Sequence, residues 1–554
     1  MIKIDYAIVG GGVAGTYCAW RLKQAYPEKK IILFEYSKRI GGRLLSLSPK
    51  EWSNIGKVTK SGGLNVVAEL GGMRYLPQQH KIFEKVREML NLETVDFPMG
   101  SMEDPNGELN IAYFRRTWLR IKELGRLHED PDRSRDPFPK LSWSEKGKDP
   151  DELHRHIMKT FVPNLKDIKT YQQWGEVDLF GKKLYQFGFW NLLYRVLTPE
   201  AYTFLKYGSG YDTNVSNGSA AVLLPTADEF SPGGTKFKTL KDGLQSLPLK
   251  MAEEFEKKYH GKICMNHHLH SIEQSQEDKK SYFLKFFKTI TTADENGRSE
   301  TIDVDPTDEQ YVATNVILAM PRAALEYITW DQLEKDEFLR KNLGSVLNQP
   351  AMKILLVYDY AWWKSIGIVH GRSITDLPIR QTLYFTSPEE AADLKGISKK
   401  PALLLASYND IETIPFWKGL IGGDSFDGPD GYRASKAMVK EAHEQVEEMH
   451  DFEEMPKPIA AAFCDWSQYP YGAGWHCWKA NFKFWEIAEQ MCKPIKTENV
   501  YICGDAYSLS QGWAEGALET AEHVLTKDLD EPLVSIIEKE EKDFEYDKRI
   551  KRRR

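Results

Sequence analysis

The first 35 residues contain the feature that most constrains the fold of this chain. An apolar segment that begins at Ile2 runs directly into GGGVAG at 10–15, and a helical pattern over 16–25 follows. A second apolar segment at 31–34 ends on Glu35. This order predicts a strand, a glycine-rich turn, a helix and a second strand, which is how a Rossmann-like domain begins.

Each part of this pattern suits the binding of a dinucleotide. Gly10 permits a tight turn, Gly12 lets the backbone approach a pyrophosphate, and Gly15 allows the helix to pack closely on the strand. The amino end of the helix brings partial positive charge to the phosphates. Glu35 lies 20 residues after Gly15, where a carboxylate would accept hydrogen bonds from ribose hydroxyls. These residues do not distinguish NAD from FAD.

Two further glycine–arginine motifs favour FAD. RIGGR at 39–43 follows Glu35 within one turn-rich loop, and ELGGMRY occupies 69–75. Nicotinamide enzymes continue from the acidic residue into another crossover unit, whereas here glycines and an arginine return to the same nucleotide. This arrangement resembles the flavin-containing amine oxidase family and, within it, most closely the L-amino acid oxidases.

The resemblance continues in separate stretches of the chain. Residues 261–272 are similar to the family's strand that contacts the adenine, and 500–506 is a strand followed by Gly-Asp. QGWAEGA at 511–517 opens a helix whose amino end faces the flavin in that family. The resemblance implies FAD contacts from Gly10, Gly12, Gly15, Glu35, Gly42, Arg43, Gly72, Met73, Arg74, Leu269, Asp505, Trp513 and Ala514.

A non-covalent flavin is expected. In the related monoamine oxidases the tethering cysteine follows a Gly-Gly pair. In this chain Trp475 follows Gly474, and Cys477 is displaced from that position.

The resemblance implies an α/β fold with three parts. The first is an FAD-binding, Rossmann-like domain of the two-dinucleotide-binding type, built from 1–75, 232–325 and 461–530. The second is a mixed α+β substrate-binding domain. The third is helical, and a C-terminal helix and basic tail end the chain. Their expected limits are 76–125 and 326–460 for the substrate-binding domain, 126–231 for the helical domain and 531–554 for the C-terminal segment.

The resemblance also assigns roles at the reaction site. Arg74 would form a bidentate pair with the substrate carboxylate, which a planar guanidinium fits better than an ammonium does. Lys353, an unusual residue in the apolar strand sequence 350–357, would act in catalysis by holding a water near flavin N5. Tyr384 would share the carboxylate, although its neighbour Leu383 cannot donate a hydrogen bond, so the register is open by one residue.

Further residues are expected to shape the amine side of the site. The Gly512 carbonyl would accept a hydrogen bond from the substrate amino group, and Trp513 would lie beside it. Trp475 and Trp478 would help to wall the same pocket, with ordinary packing as the alternative. Asp212 could select a basic side chain, whereas the 12% aromatic content favours large apolar substrates.

The expected reaction is the FAD-dependent oxidative deamination of L-amino acids to 2-oxo acids, with release of ammonia and hydrogen peroxide. One alternative is an amino-acid 2-monooxygenase, which decarboxylates its substrate to the amide. Another is a monoamine or polyamine oxidase, in which Arg74 and Tyr384 would lose their purpose. A non-enzymatic binding relative is disfavoured by the intact glycine loop and by Glu35.

Composition limits the partners. The net charge of −7 argues against a general nucleic-acid binder, and no apolar stretch is long enough to span a bilayer. The resemblance implies that the partners are an L-amino acid and dioxygen. The start of the chain lacks a signal peptide, and its six scattered cysteines suit reduced thiols, so a cytoplasmic location is expected. No metal site is expected, because His267, His268 and His270 suit surface or packing roles. A homodimer is left open.

Overall fold

The computed structural model describes most of the chain, and two large sheets dominate it. The described residues are 1–99, 109–126, 135–162, 164–212, 216–228, 236–294, 297–306, 309–385, 400–453, 455–468 and 470–537. The expected basic tail, and most of the C-terminal segment to which it belongs, lie outside these residues.

Within the described residues, nine strands form the first sheet. One of its parallel strands, Ile2–Val9, leads into the glycine-rich loop. Ile2–Val9 pairs in parallel with Ile31–Phe34 on one side and with Tyr311–Leu318 on the other. All four residues of Ile31–Phe34 are buried, as expected for a parallel strand covered on both faces. The remaining strands of this sheet are Lys262–Cys264, His267–Gln274, Tyr282–Ala293, Ser299–Pro306, Thr329–Trp330 and Val500–Ile502.

A second sheet, with seven strands in the described part of the chain, stands beside the first. Its second strand, Ala351–Tyr358, is buried along its whole length. Since side chains alternate along a strand, Leu355 and Val357 pack towards the 45–76 segment, while Ile354 and Leu356 pack on the opposite face, against helix Lys436–His450. In spatial order the strands are Ala460–Asp465, Ala351–Tyr358, Ala402–Asp410, Gln381–Phe385, Gly371–Thr375, Ile111–Phe114 and Thr117–Arg120.

Helices cover both sheets and form a separate layer between residues 135 and 228. The helix after the glycine loop, Val13–Ala25, packs beside Ala514–His523 in one apolar cluster. No helix in the described ranges is both long and apolar enough to cross a bilayer. The other α-helices are Pro49–Trp52, Gly56–Lys60, Lys81–Met89, Pro150–Phe161, Tyr171–Gly175, Phe189–Val196, Pro199–Gly208, Ala220–Leu223, Ser246–Glu253, Arg322–Leu325, Gln332–Lys335, Glu337–Asn342, Ile414–Lys418, Lys436–His450 and Phe484–Cys492.

Short paired strands connect these layers. Lys238–Leu240 pairs with Thr94–Asp96, and Val346–Gln349 pairs with Trp475–Trp478, so segments distant in sequence meet next to the sheets. The other short pairs are Ser46–Leu47 with Ala68–Glu69 and Asp178–Leu179 with Lys182–Lys183.

Strand pairing places two segments across the expected domain limits. Thr329–Trp330 joins the first sheet, beyond the expected limit at 325. Ala460–Asp465 pairs with Ala351–Tyr358 in the second sheet, across the expected limit at 460. Hydrophobic pattern alone does not show which sheet an apolar strand will join, because both sheets are buried.

Candidate active site

A cavity of about 1250 Å³ runs from the glycine-rich loop to the second sheet. Residues 9–14 and 41–44 line one end, and residues 149–151 and 222–226 of the helical layer contribute to the other. Ligand pockets usually measure about 300–1,000 Å³, so this cavity has room for a dinucleotide and a small substrate together.

The glycine-rich loop can be built only with glycine at its tight points. Gly10 has a φ of +115°, and a Cβ added to Gly15 would lie 1.8 Å from the Gly10 carbonyl oxygen. A Cβ on Gly42, where φ is +59°, would lie 3.0 Å from the Cα of Gly12. The two glycine loops therefore touch, and together they leave a backbone-lined floor on which phosphates fit.

Hydrogen bonds to Glu35 join the end of the second strand to this loop. One carboxylate oxygen accepts from the Gly11 amide at 2.7 Å, and the other accepts from the Ser37 hydroxyl at 2.7 Å. Glu35 and the buried Leu269 both line the cavity, where the sequence predicts ribose and adenine contacts.

Arg43 and Asp505 form an ion pair at the centre of the cavity wall. Burial opposes the ionisation of Asp505, but the charges of Arg43 and His476 outweigh it and hold the pKa of Asp505 well below its ordinary value. Burial also lowers the pKa of His476. The pair ties the 39–43 loop to the strand end at 500–502, so that two distant motifs form one surface.

The amino end of helix Ala514–His523 opens onto the cavity. Trp513 and Ala514 line the cavity there, as Gly72 and Met73 do from the facing loop. Glu515, in the first turn, also lines the cavity, and its carboxylate accepts hydrogen bonds from the Ile82 and Phe83 amides. The amino end of this helix therefore gives the cavity wall a partial positive charge.

Arg74 has a buried guanidinium without an acidic partner among the described residues. The residue is 8% exposed, and its Nη2 is 3.3 Å from the Tyr211 hydroxyl, while its Nη1 contacts the Met99 sulfur. The guanidinium lies 4.6 Å from the ring centroid of Phe237. Among the described residues, no carboxylate lies within ion-pair distance of Arg74. Because Arg74 lines the cavity and a buried cation needs a counter-charge, the site is suited to an anionic group.

Lys353 lies on the cavity side of the second sheet. Its Nζ donates to the carbonyl oxygens of Glu69, at 3.2 Å, and of Gly71, and it lies 4.8 Å from the Tyr408 ring centroid. Burial lowers the pKa of Lys353 and outweighs the opposing effect of the Glu69 charge. Burial also raises the pKa of the Glu69 carboxyl. Lys353 thus lies directly against the 69–74 loop, with a pKa below the ordinary value for lysine.

Tyr384 is not brought to the cavity, which corrects the expectation that it shares the substrate carboxylate. Its hydroxyl bonds to the Ser373 hydroxyl at 2.6 Å and to His450 Nε2 at 2.5 Å. These partners lie on the helix-covered face of the second sheet, and Tyr384 packs there with Trp363. Leu383 takes the opposite face instead, since neighbouring residues of a strand point to opposite sides.

Two tyrosines that the sequence analysis did not identify occupy the place expected for Tyr384. Tyr408 lies directly opposite Lys353 in the strand register, and its ring meets the edge of the Tyr211 ring at 5.4 Å. Both tyrosines line the cavity beside Arg74, and so does Arg372, whose Nη1 donates to the Ser209 carbonyl at 3.2 Å. No local signal marks either tyrosine, because Tyr408 meets Lys353 only through strand pairing and Tyr211 lies in a loop.

The aromatic residues near the amine side divide into two groups. Trp475 lines the cavity, and a Cβ added to Gly512 would lie 3.4 Å from its ring, so the two residues are in contact. Trp513 meets His80 edge-on at 4.6 Å. Trp478 is instead buried in the core, where its indole donates to the Ser508 carbonyl. Trp478 therefore has the packing role that the sequence leaves open as the alternative.

Other polar candidates have structural partners. Asp212 pairs with Arg380 at 3.3 Å and accepts from the Glu412 amide, so its carboxylate does not face the cavity. His268 lies 2.9 Å from Asp303, and His270 stacks on Phe287. Asp212 is thus not placed to select a basic substrate, whereas His267 and His268 line the cavity.

The sequence matches a known protein family and several known relatives over most of its length. The sequence model of a family described as flavin containing amine oxidoreductase matches residues 13–524. Aplysianin-A from Aplysia kurodai is 28% identical, with 94% of this chain and 89% of the relative covered. Achacin from Lissachatina fulica is also 28% identical, over 95% and 93% of the two chains. An L-amino-acid oxidase from Crotalus adamanteus is 23% identical, over 93% and 84%.

Solved structures agree with this assignment at the level of the fold. A putrescine oxidase bound to putrescine has a TM-score of 0.62 and 14% identity, with 94% of this chain and 97% of that chain covered. A redesigned variant of putrescine oxidase gives the same TM-score at 15% identity. The expected fold class is therefore confirmed, and the chain belongs to the family of flavin containing amine oxidoreductases.

Proposed function

We propose that this protein uses FAD to oxidise the α-amino group of L-amino acids to 2-oxo acids, releasing ammonia and hydrogen peroxide. The observation that carries the proposal is the buried guanidinium of Arg74, which lines the cavity and lacks an acidic partner among the described residues. An amine without a carboxylate would leave that charge unpaired. The L-amino-acid oxidases among the relatives support the same substrate class.

The residues present fit FAD. The contact of Gly12 with Gly42 makes a floor that a side chain would fill. Glu35, Leu269 and the amino end of helix Ala514–His523 line the same cavity. We take the flavin to be held without a covalent bond, as the position of Cys477 predicts. When bound, FAD would accept the hydride from the substrate Cα and pass the electrons to dioxygen.

The substrate carboxylate is held between Arg74 and Tyr211 in this proposal. Their 3.3 Å contact supports this arrangement, since one small anion would reach both groups, and a planar guanidinium matches a carboxylate with two parallel hydrogen bonds. Tyr408 limits the position of Tyr211 through its edge contact. The Gly512 carbonyl would accept from the amino group, while Trp475 and Trp513 exclude water.

Lys353 supplies a fixed proton donor near the reacting atoms. Its Nζ carries three N–H bonds when charged, and the carbonyls of Glu69 and Gly71 take two of them. The third would hold a water beside the cavity. The nearby positive charge would favour the transfer of electrons to dioxygen, in which negative charge develops.

A panel of substrates tests the proposed function. With L-amino acids we expect equal amounts of 2-oxo acid, ammonia and peroxide, and with D-amino acids or simple amines at most a trace. The amide with carbon dioxide would instead identify the amino-acid 2-monooxygenase. Turnover of putrescine or monoamines in place of amino acids would contradict the proposal. A homodimer and a cytoplasmic location remain predictions.

The Tyr211→Phe variant tests the carboxylate site. We expect its KM for L-amino acids to rise about 10- to 150-fold, because a hydrogen bond to a charged group contributes about 1.5–3 kcal/mol. Tyr384→Phe is the matched control. It should leave KM unchanged and lower the free energy of unfolding by about 1–2 kcal/mol, since Ser373 and His450 lose a buried partner. Steady-state kinetics measure KM, and urea unfolding measures the free energy of unfolding. A higher KM in Tyr384→Phe together with an unchanged KM in Tyr211→Phe would show that Tyr384, and not Tyr211, binds the carboxylate.

A further inference from the structure

A cluster of three side chains lies at the far end of the helix that opens onto the cavity. Cys492 Sγ, a His523 ring nitrogen and an Asp528 carboxylate oxygen all lie within 4.8 Å of one another. His523 and Asp528 are 3.4 Å apart, measured from Nε2 to Oδ2. Helix Ala514–His523 is about 15 Å long at 1.5 Å per residue, so this cluster is remote from Trp513 and the reaction site.

The local fold explains why these side chains meet. The helix continues as a π-helical turn over Val524–Asp528, which turns the Asp528 side chain back towards His523. Single π-helical turns are rare and occur frequently at functional sites. Cys492, the last residue of the neighbouring helix Phe484–Cys492, closes the cluster from the other side. Lys493 donates to the Asp528 backbone carbonyl at 2.9 Å and fixes the turn.

We propose that Cys492, His523 and Asp528 form a binding site for a zinc-like divalent cation. The donor set is one sulfur, one imidazole nitrogen and one carboxylate oxygen, which suits Zn²⁺ and not Mg²⁺ or Ca²⁺. Ligand atoms about 2.0–2.3 Å from a tetrahedral zinc lie about 3.3–3.7 Å apart, a separation that His523 and Asp528 already have.

Two further observations support the site. Asp528 Oδ2 is buried and, apart from its 3.4 Å ion-pair contact with His523, makes no hydrogen bond in the described structure, so an acceptor faces the cluster. Cys492 and His523 also line the long cavity, which leaves a fourth coordination position for water. The ion would join helix Phe484–Cys492 to the end of helix Ala514–His523, whose amino end faces the cavity. We therefore assign it a stabilising role.

Zinc binding to the full-length holoenzyme tests this site. After chelator treatment and dialysis, titration with zinc chloride alone should give one ion per chain by calorimetry and by elemental analysis, with a higher melting temperature. Cys492→Ser, His523→Gln and Asp528→Asn should each weaken binding by at least about 100-fold, since even the loss of a group that supports a ligand weakens metal binding about 10–100-fold.

Matched controls keep the test decisive. Cys264→Ser changes a buried thiol outside the cluster and should bind zinc as the parent protein does. Flavin absorbance shows that each variant is folded, independently of zinc. The site is refuted if the parent protein binds no stoichiometric zinc, or if all three cluster variants bind it unchanged. Equal uptake of magnesium or calcium would also refute it.

Discussion

Arg74→Ala is expected to lower kcat/KM for L-amino acids by about 10³-fold, or about 4 kcal/mol, while the protein still binds FAD. The expected loss is large because the substrate carboxylate would enter a site that has lost the guanidinium proposed to pair with it. Stopped-flow reduction of the flavin under anaerobic conditions measures it directly, since the absorbance change reports the substrate step alone.

Arg74→Lys is the matched control for this prediction. It keeps the positive charge but loses the planar fork, so we expect an intermediate loss, with the larger part in KM. Oxidation of a simple amine, if detectable, should be nearly unaffected in both variants. If Arg74→Ala retains its parent kinetics with FAD bound, the assignment of amino acids as substrates is wrong.

Gly15→Ala is expected to yield protein that does not retain FAD. A Cβ at this position would lie 1.8 Å from the Gly10 carbonyl oxygen, and backbone cannot move aside as a flexible side chain can. The helix would have to shift away from the strand, which costs about 3 kcal/mol and displaces the phosphate-binding amides. The ratio of flavin to protein absorbance after gel filtration measures the loss.

Gly56→Ala provides the control for the substitution itself. A Cβ at Gly56 would meet no atom within 4 Å, so this variant should bind FAD and melt like the parent protein. Normal flavin content in Gly15→Ala would show that the close packing of helix on strand is not required for binding the cofactor.

The amino-terminal motif could be interpreted from sequence because its parts are neighbours along the chain. Strand, glycine turn, helix and Glu35 form one continuous unit, and the structure has Ile2–Val9, Val13–Ala25 and Ile31–Phe34 in that order. Arg74 and Lys353 were identified through their motifs, and the structure places both on the cavity wall.

Tyr384 shows where this kind of inference fails. Along a strand, a shift of one residue moves a side chain to the other face of the sheet, and the resemblance left the register open by one residue. The tertiary structure placed Leu383 on one face and Tyr384 against His450 on the other. Only the pairing of Ala351–Tyr358 with Ala402–Asp410 brings Tyr408 opposite Lys353.

By itself, the sequence determined the family, the dinucleotide loop and the cationic residue on which the proposed substrate depends. These features rest on local spacing, which fixes backbone turns regardless of the rest of the chain. The tertiary structure decided which tyrosines lie beside Arg74, that Asp212 is paired, and that Cys492 meets His523 and Asp528. Such contacts join residues far apart in sequence, and they exist only once the sheets and helices have packed.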